Sequence, residues 1–164
     1  MANYDTLAAF EAALRRAKAG LNDEVALILK EEAPDLANAV AMRVSTKGQK
    51  ADGGNFSTPY SKSQKGKREK SGYGSLGKQT NYKGFYFKGT MWDSFGLREI
   101  KKEGLRVVAS IGFEGPNMFL SNIELAKIHT EREKIGIASP NKEEQAELTR
   151  KIGLRIGQYL ISVL

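Results

Sequence analysis

Gly72-Tyr73-Gly74-Ser75-Leu76-Gly77-Lys78 reproduces the first seven positions of a phosphate-binding loop, in which glycine amides cradle phosphate oxygens and the lysine neutralises them. The eighth position calls for Ser or Thr to hold magnesium, and here it is Gln79, with Thr80 one residue late. Lys67 to Ser71, which precede the pattern, are not the apolar strand such a loop follows. We read the match as a product of glycine- and lysine-rich composition. The single histidine, His129, lies beside Thr130 and Glu131 and reads as a helix-end or interface residue. Adjacent acids such as Glu31-Glu32 and Glu143-Glu144 diverge by about 100° on a helix and cannot act as a catalytic pair. With no cysteine and one histidine, a zinc site lacks ligands. The chain is therefore expected to be no enzyme, and to use no cofactor and no metal.

The remaining chemistry is charge. Ser45 to Lys88 hold ten Lys or Arg against two acids, a net +8, whereas the whole chain carries +7, so everything else sums to −1. Lys62, Lys65, Lys67, Arg68, Lys70 and Lys78 are the candidate contacts, either to a polyanion through counterion release or to a neighbouring subunit. The aromatics Tyr82, Phe85, Tyr86, Phe87 and Trp92, interleaved with Lys83 and Lys88, have the makings of a base-stacking platform. Aromatic enrichment is ordinary in a packed strand, and that is the reading taken here. Eight glycines and few core formers make residues 45–84 a long, basic, flexible loop.

The elements that must position this loop are periodic. A chain of 164 residues with 40% hydrophobic content suits one domain, residues 1–164. It contains no apolar run long enough for a membrane span and no signal-peptide layout at its start, so it is expected to be cytosolic. Leu7, Phe10, Leu14 and Ala17 share a helical face that Gly20 is expected to end. Asn22 then caps a second helix with the stripe Val25, Leu29, Ala33, Leu36, Val40 and Val44, which Pro34 kinks or breaks. Phe85, Tyr86 and Phe87, then Met91, Trp92 and Phe95, read as strand.

Leu97 to Lys101 and Leu105 to Phe113 form a hairpin about Glu103-Gly104, with Leu105, Val107, Ala109, Ile111 and Phe113 on one face. Met118 to His129 suit a short helix. Asn141 and Glu144 make a capping box for a terminal amphipathic helix with the stripe Leu148, Ile152, Ile156, Tyr159, Leu160 and Val163. The fold class is α+β: N-terminal helices, an antiparallel sheet with a hairpin, a short helix, a C-terminal amphipathic helix and an inserted basic loop.

Two windows carry a family resemblance. Lys88-Gly89-Thr90-Met91-Trp92-Asp93-Ser94-Phe95 resembles the Thr-Gly, large-apolar, Ser segment of virion-morphogenesis proteins of tailed bacteriophages, the tail-completion and neck proteins, although here Thr90 follows the glycine. Leu125-Ala126-Lys127-Ile128-His129-Thr130 resembles their apolar-Ala-x-Ile-His-Gln segment, which a proline and a final amphipathic helix follow, as Pro140 and the helix after Asn141 do here. Arg43 near the end of the helical part, and Asp52-Gly53-Gly54 and Tyr60 in the polar loop, agree with that layout. Ala138-Ser139-Pro140-Asn141 stands where the family carries an arginine-bearing Pro-x-Arg-Pro.

The resemblance implies a structural subunit of the virion, assembled in the host cytoplasm as a homo-oligomeric ring. Such a ring ends the tail tube or bridges it to the portal-side connector, with tail-tube and connector proteins as partners and possible contact with DNA in the channel. The rival reading is a nucleic-acid-binding protein whose 45–88 segment meets phosphates.

Overall fold

A glycine closes the first element, although not the one expected to. In the computed structural model, which describes residues 6–56, 90–116, 120–134 and 136–164, helix α1 runs unbroken over Leu7–Lys47 and stops at Gly48. Gly48 has φ +62°, the left-handed conformation that ends helices, and its N–H donates to the Val44 carbonyl at 3.0 Å. The break expected at Gly20 and the restart at Asn22 do not occur. Pro34 gives up one helical hydrogen bond inside α1, a cost of about 3 kcal/mol. Ile28, Leu29, Ala33 and Ala37, buried on either side of it, offset that cost.

The chain divides into two compact units, each of which takes a length of α1. The first holds residues 1–37, 96–111 and 143–164. Its strands β1 (Gly96–Glu103) and β2 (Arg106–Gly112) form a two-stranded hairpin. Gly104 at φ +60°, followed by Leu105 with negative φ, is the type II′ pattern that matches strand twist across a two-residue turn. Leu105, expected on the buried face, stands in that turn and is 86% exposed, while Val107, Ala109 and Ile111 are half-buried. Asn22 donates to the Gly104 carbonyl at 2.6 Å and Asp23 pairs with Lys102, so the polar residues expected to start a helix anchor the hairpin instead.

The terminal helix of this unit, α4 (Lys142–Val163), begins one residue after Asn141 and half-buries every position of its expected stripe. Lys151 lies 2.9 Å from Glu32 and 3.0 Å from Asp35, and Arg155 pairs with Glu31 and, at 3.4 Å, with Glu32. Those carboxylates raise Lys151 above its ordinary value, and Glu31 chiefly does the same for Arg155. The Tyr159 hydroxyl donates to the Ala17 carbonyl at 3.3 Å and fills the space where a side chain on Gly20 would stand. Gly20 is thus a notch for Tyr159, which is why it does not end α1.

Leu7, Phe10 and Leu14, expected to face a core, are 73%, 39% and 42% exposed; Ala13 and Ala17 are the buried residues of those turns.

The second unit holds residues 38–95 and 112–142. A single helical turn, α2 (Thr90–Asp93), replaces the strand expected at Met91 and Trp92. Helical geometry there lets both consecutive side chains be buried, where a strand would send them to opposite faces. Helix α3 (Asn122–Glu133) follows, beginning four residues after the expected Met118. Ser121 caps it: its hydroxyl accepts from the Glu124 N–H at 3.2 Å while the Glu124 carboxylate accepts from the Ser121 N–H at 2.8 Å. The sheet and the four helices among the described residues make the fold α+β. No helix among them is long and apolar enough to cross a membrane.

Candidate functional site

Both windows that carry the resemblance lie in the second unit, and they pack together. Met91 and Trp92 of the first and Ala126 of the second are buried in one cluster with Val44, Phe56 and Ile137, and Leu125 packs against it. Trp92 meets Phe95 edge-on with ring centroids 5.5 Å apart and Phe113 at 5.3 Å, while Phe95 and Phe113 are 4.7 Å apart. Such aromatic contacts add about 0.5–1.5 kcal/mol each beyond area burial. The bulk of Trp92, 5% exposed, fixes where α2 sits on α3.

Arg43 belongs to the same unit. It is 6% exposed, and its guanidinium donates to the Gln49 carbonyl at 2.6 Å and to the Ser139 carbonyl at 2.7 Å. One side chain thereby ties the end of α1 both to the loop that follows it and to the segment Ala138-Ser139-Pro140-Asn141. Residues 45–47, the start of the expected loop, are the last of α1, and 48–56 form a tight turn: Gln49 bridges Asn55, the Phe56 N–H donates to the Gly48 carbonyl at 2.9 Å, and Phe56 enters the cluster. Lys50 stands 5.9 Å over the Phe56 ring.

An open recess of about 460 Å³ lies on the same unit, lined by Gly112, Phe113, Ile123, Ala126, Lys127, Thr130 and Glu131. Its floor is apolar, and Lys127 and Glu131, one helical turn apart on α3, put one charge of each sign at its edge. Chemically it offers apolar contact and two weakly directing charges, with no paired acid and base. His129 is half-buried near the end of α3 and is not among the lining residues. Among the described residues no cluster of His, Asp or Glu has the makings of a metal site.

The candidate contacts Lys62, Lys65, Lys67, Arg68, Lys70 and Lys78, the phosphate-loop pattern at Gly72 to Gln79, and the aromatic run Tyr82 to Phe87 lie outside the described residues. In the sequence Arg43 is marked only by its position, and its carbonyl partners at Gln49 and Ser139, 6 and 96 positions away, leave no signal there. Ser121-Asn122-Ile123-Glu124 does carry a signal, since its capping-box spacing locates the start of α3 four residues after the expected Met118. Comparison of the chain with known families, with curated proteins and with solved structures finds no match.

Proposed function

We propose that this protein is a structural subunit of a tailed-phage or phage-derived particle. It assembles in the host cytoplasm into a homo-oligomeric ring at the neck or tail end of the virion, completing the tail and joining it to the head. The observation that carries the reading is the convergence in one unit of the four features taken from sequence: the Trp92 window, the Ala126 window, Arg43, and the segment before the last helix. Each has a packing role there, as befits an assembly subunit. Exposed apolar side chains at Leu7, Leu154 and Ile161 supply surface suited to neighbours. In this reading the partners are tail-tube and connector proteins, and the 45–88 segment meets an assembly mate or DNA in the channel.

The test is co-expression of the full chain with the tail-tube and connector proteins encoded beside it, followed by native mass measurement and electron microscopy. Rings that join the two partners are expected; a chain that neither forms rings nor binds either partner overturns the reading.

The concentration of +8 in the 45–88 segment favours one rival, a nucleic-acid-binding protein. If Lys62, Lys65, Lys67, Arg68, Lys70 and Lys78 neutralise six phosphates, log affinity for duplex DNA falls with log salt at a slope of about −5, and each lysine removed flattens it by about one. Absent or salt-insensitive binding in a fluorescence-anisotropy titration dismisses the rival.

A further inference from the structure

The two strands of the hairpin are unequally guarded. β1 carries Arg98, Glu99, Lys101, Lys102 and Glu103, five charges in eight residues, including the lysines that blunt a sheet edge against a foreign strand. β2 reads Arg-Val-Val-Ala-Ser-Ile-Gly over Arg106–Gly112, with one charge at its first position, no proline, and β-branched residues at Val107, Val108 and Ile111. With the two-residue turn at Gly104-Leu105, the pairs Lys101 with Val108 and Glu99 with Ser110 exchange the ladder hydrogen bonds. The backbone N–H and C=O of Val107, Ala109 and Ile111 then point away from β1. Among the described residues no third strand takes them.

We infer that the outer edge of β2 pairs antiparallel with β2 of a second copy of this chain, centred on Ala109. The occupant is chosen by charge and by self-complementarity. In the antiparallel register Arg106 comes opposite Gly112 of the other copy, whereas a parallel pair sets the two Arg106 side chains side by side. Val107 pairs with Ile111 and Val108 with Ser110, so every outward amide of one edge finds its counterpart in the other, and each Ala109 N–H donates to the opposite Ala109 carbonyl. Two strands alone are marginal; across the two-fold axis they become four. The inference does not rest on the tail-completion reading, because this contact saturates at two chains while ring closure requires a head-to-tail contact.

Ala109→Pro removes an amide that faces away from β1 and leaves the β1–β2 ladder whole. In sedimentation equilibrium the wild type is expected to dimerise and Ala109→Pro to raise the dimer Kd about tenfold or more, since two hydrogen bonds are lost per dimer; Ala109→Lys, which adds an edge charge instead, is expected to act in the same direction. Unchanged circular dichroism shows that each variant is folded. Because the chain has no cysteine, Ala109→Cys reports the register directly: mild oxidation is expected to link two chains. Arg106→Cys is expected to give no link, its two copies being about 20 Å apart in the antiparallel register.

A wild type that stays monomeric with its Val107, Ala109 and Ile111 amides protected from hydrogen exchange overturns the inference, as does cross-linking at position 106. Assembly with tail proteins that persists in a non-dimerising wild type overturns this contact and leaves the ring reading standing; dimerisation without any tail partner does the reverse.

Discussion

The two units are stabilised by different means, and the difference shows in what each buries. The second unit buries large side chains in one cluster, Trp92, Phe56, Met91 and Ile137, and adds an enclosed guanidinium bonded to two backbone carbonyls. Among the described residues of the first unit, four of the six buried apolar residues are alanines, Ala13, Ala17, Ala33 and Ala37, accompanied by Ile28 and Leu29. Helix α4 there has no fully buried residue and is tied to α1 by Tyr159 and by the Lys151 and Arg155 ion pairs. Partly exposed ion pairs contribute little individually, whereas a buried aromatic contributes several kcal/mol. The second unit is therefore held chiefly by its buried cluster, whereas the first leaves large apolar side chains such as Leu7, Leu154 and Ile161 exposed.

The largest effect that tests this contrast falls on Trp92. Trp92→Ala leaves a cavity among Phe95, Phe113 and the buried cluster, and urea denaturation should show a loss of about 3–5 kcal/mol. A loss below that of Tyr159→Phe in the first unit would break the comparison outright. Arg43→Met comes next: it keeps the aliphatic stem but leaves the Gln49 and Ser139 carbonyls without their donor, at about 2–3 kcal/mol. Arg43→Lys recovers at most part of this, because one ammonium lacks the fork that reaches two carbonyls on different segments.

What the sequence disclosed follows the same division. The hairpin, the stripe of α4 and the Val40–Val44 end of α1 were legible because each is set by local periodicity; the stripe and the helix end appear at the expected residues, and the hairpin appears with its turn one residue later, at Gly104-Leu105. Gly20, Asn22 and Pro34 misled because packing overrode their local signals for ending, capping and breaking a helix: Tyr159 at Gly20 and Gly104 at Asn22, both distant in sequence, and at Pro34 the buried residues on either side of it. Composition marks Met91 and Trp92 as strand, whereas the helical turn they form buries both in a cluster that draws on residues from Val44 to Ile137. The Arg43 clamp was illegible for the same reason, since a pair of carbonyl acceptors leaves no mark on side-chain composition.

Smaller in size, but sharper for the first unit, is the coupling between Gly20 and Tyr159. In an exposed helix interior Gly→Ala gains about 1 kcal/mol. At Gly20 the added methyl collides with the Tyr159 hydroxyl and displaces it from the Ala17 carbonyl. Gly20→Ala is expected to be neutral to destabilising by about 1 kcal/mol in the wild type and to become stabilising in a Tyr159→Phe background, where the hydroxyl is gone. A double-mutant cycle by thermal denaturation measures the coupling; additive effects would mean that α4 is not seated on this notch.

The smallest effect belongs to the α3 cap and carries a pH signature. Ser121→Ala removes the hydroxyl that accepts from the Glu124 N–H and should cost about 1 kcal/mol at neutral pH. Hydrogen bonds from the Ser121 side chain and backbone hold the Glu124 carboxyl below the usual range. A carboxyl with a depressed folded value contributes stability that is complete above its unfolded value and disappears as pH falls through the folded one. Acidification through that window therefore weakens the wild-type cap, while the variant has already lost the side-chain part of it. The difference in Tm between them should narrow as pH drops below the ordinary glutamate range, and a gap that stayed constant would assign the whole effect to the Ser121 hydroxyl and none to Glu124.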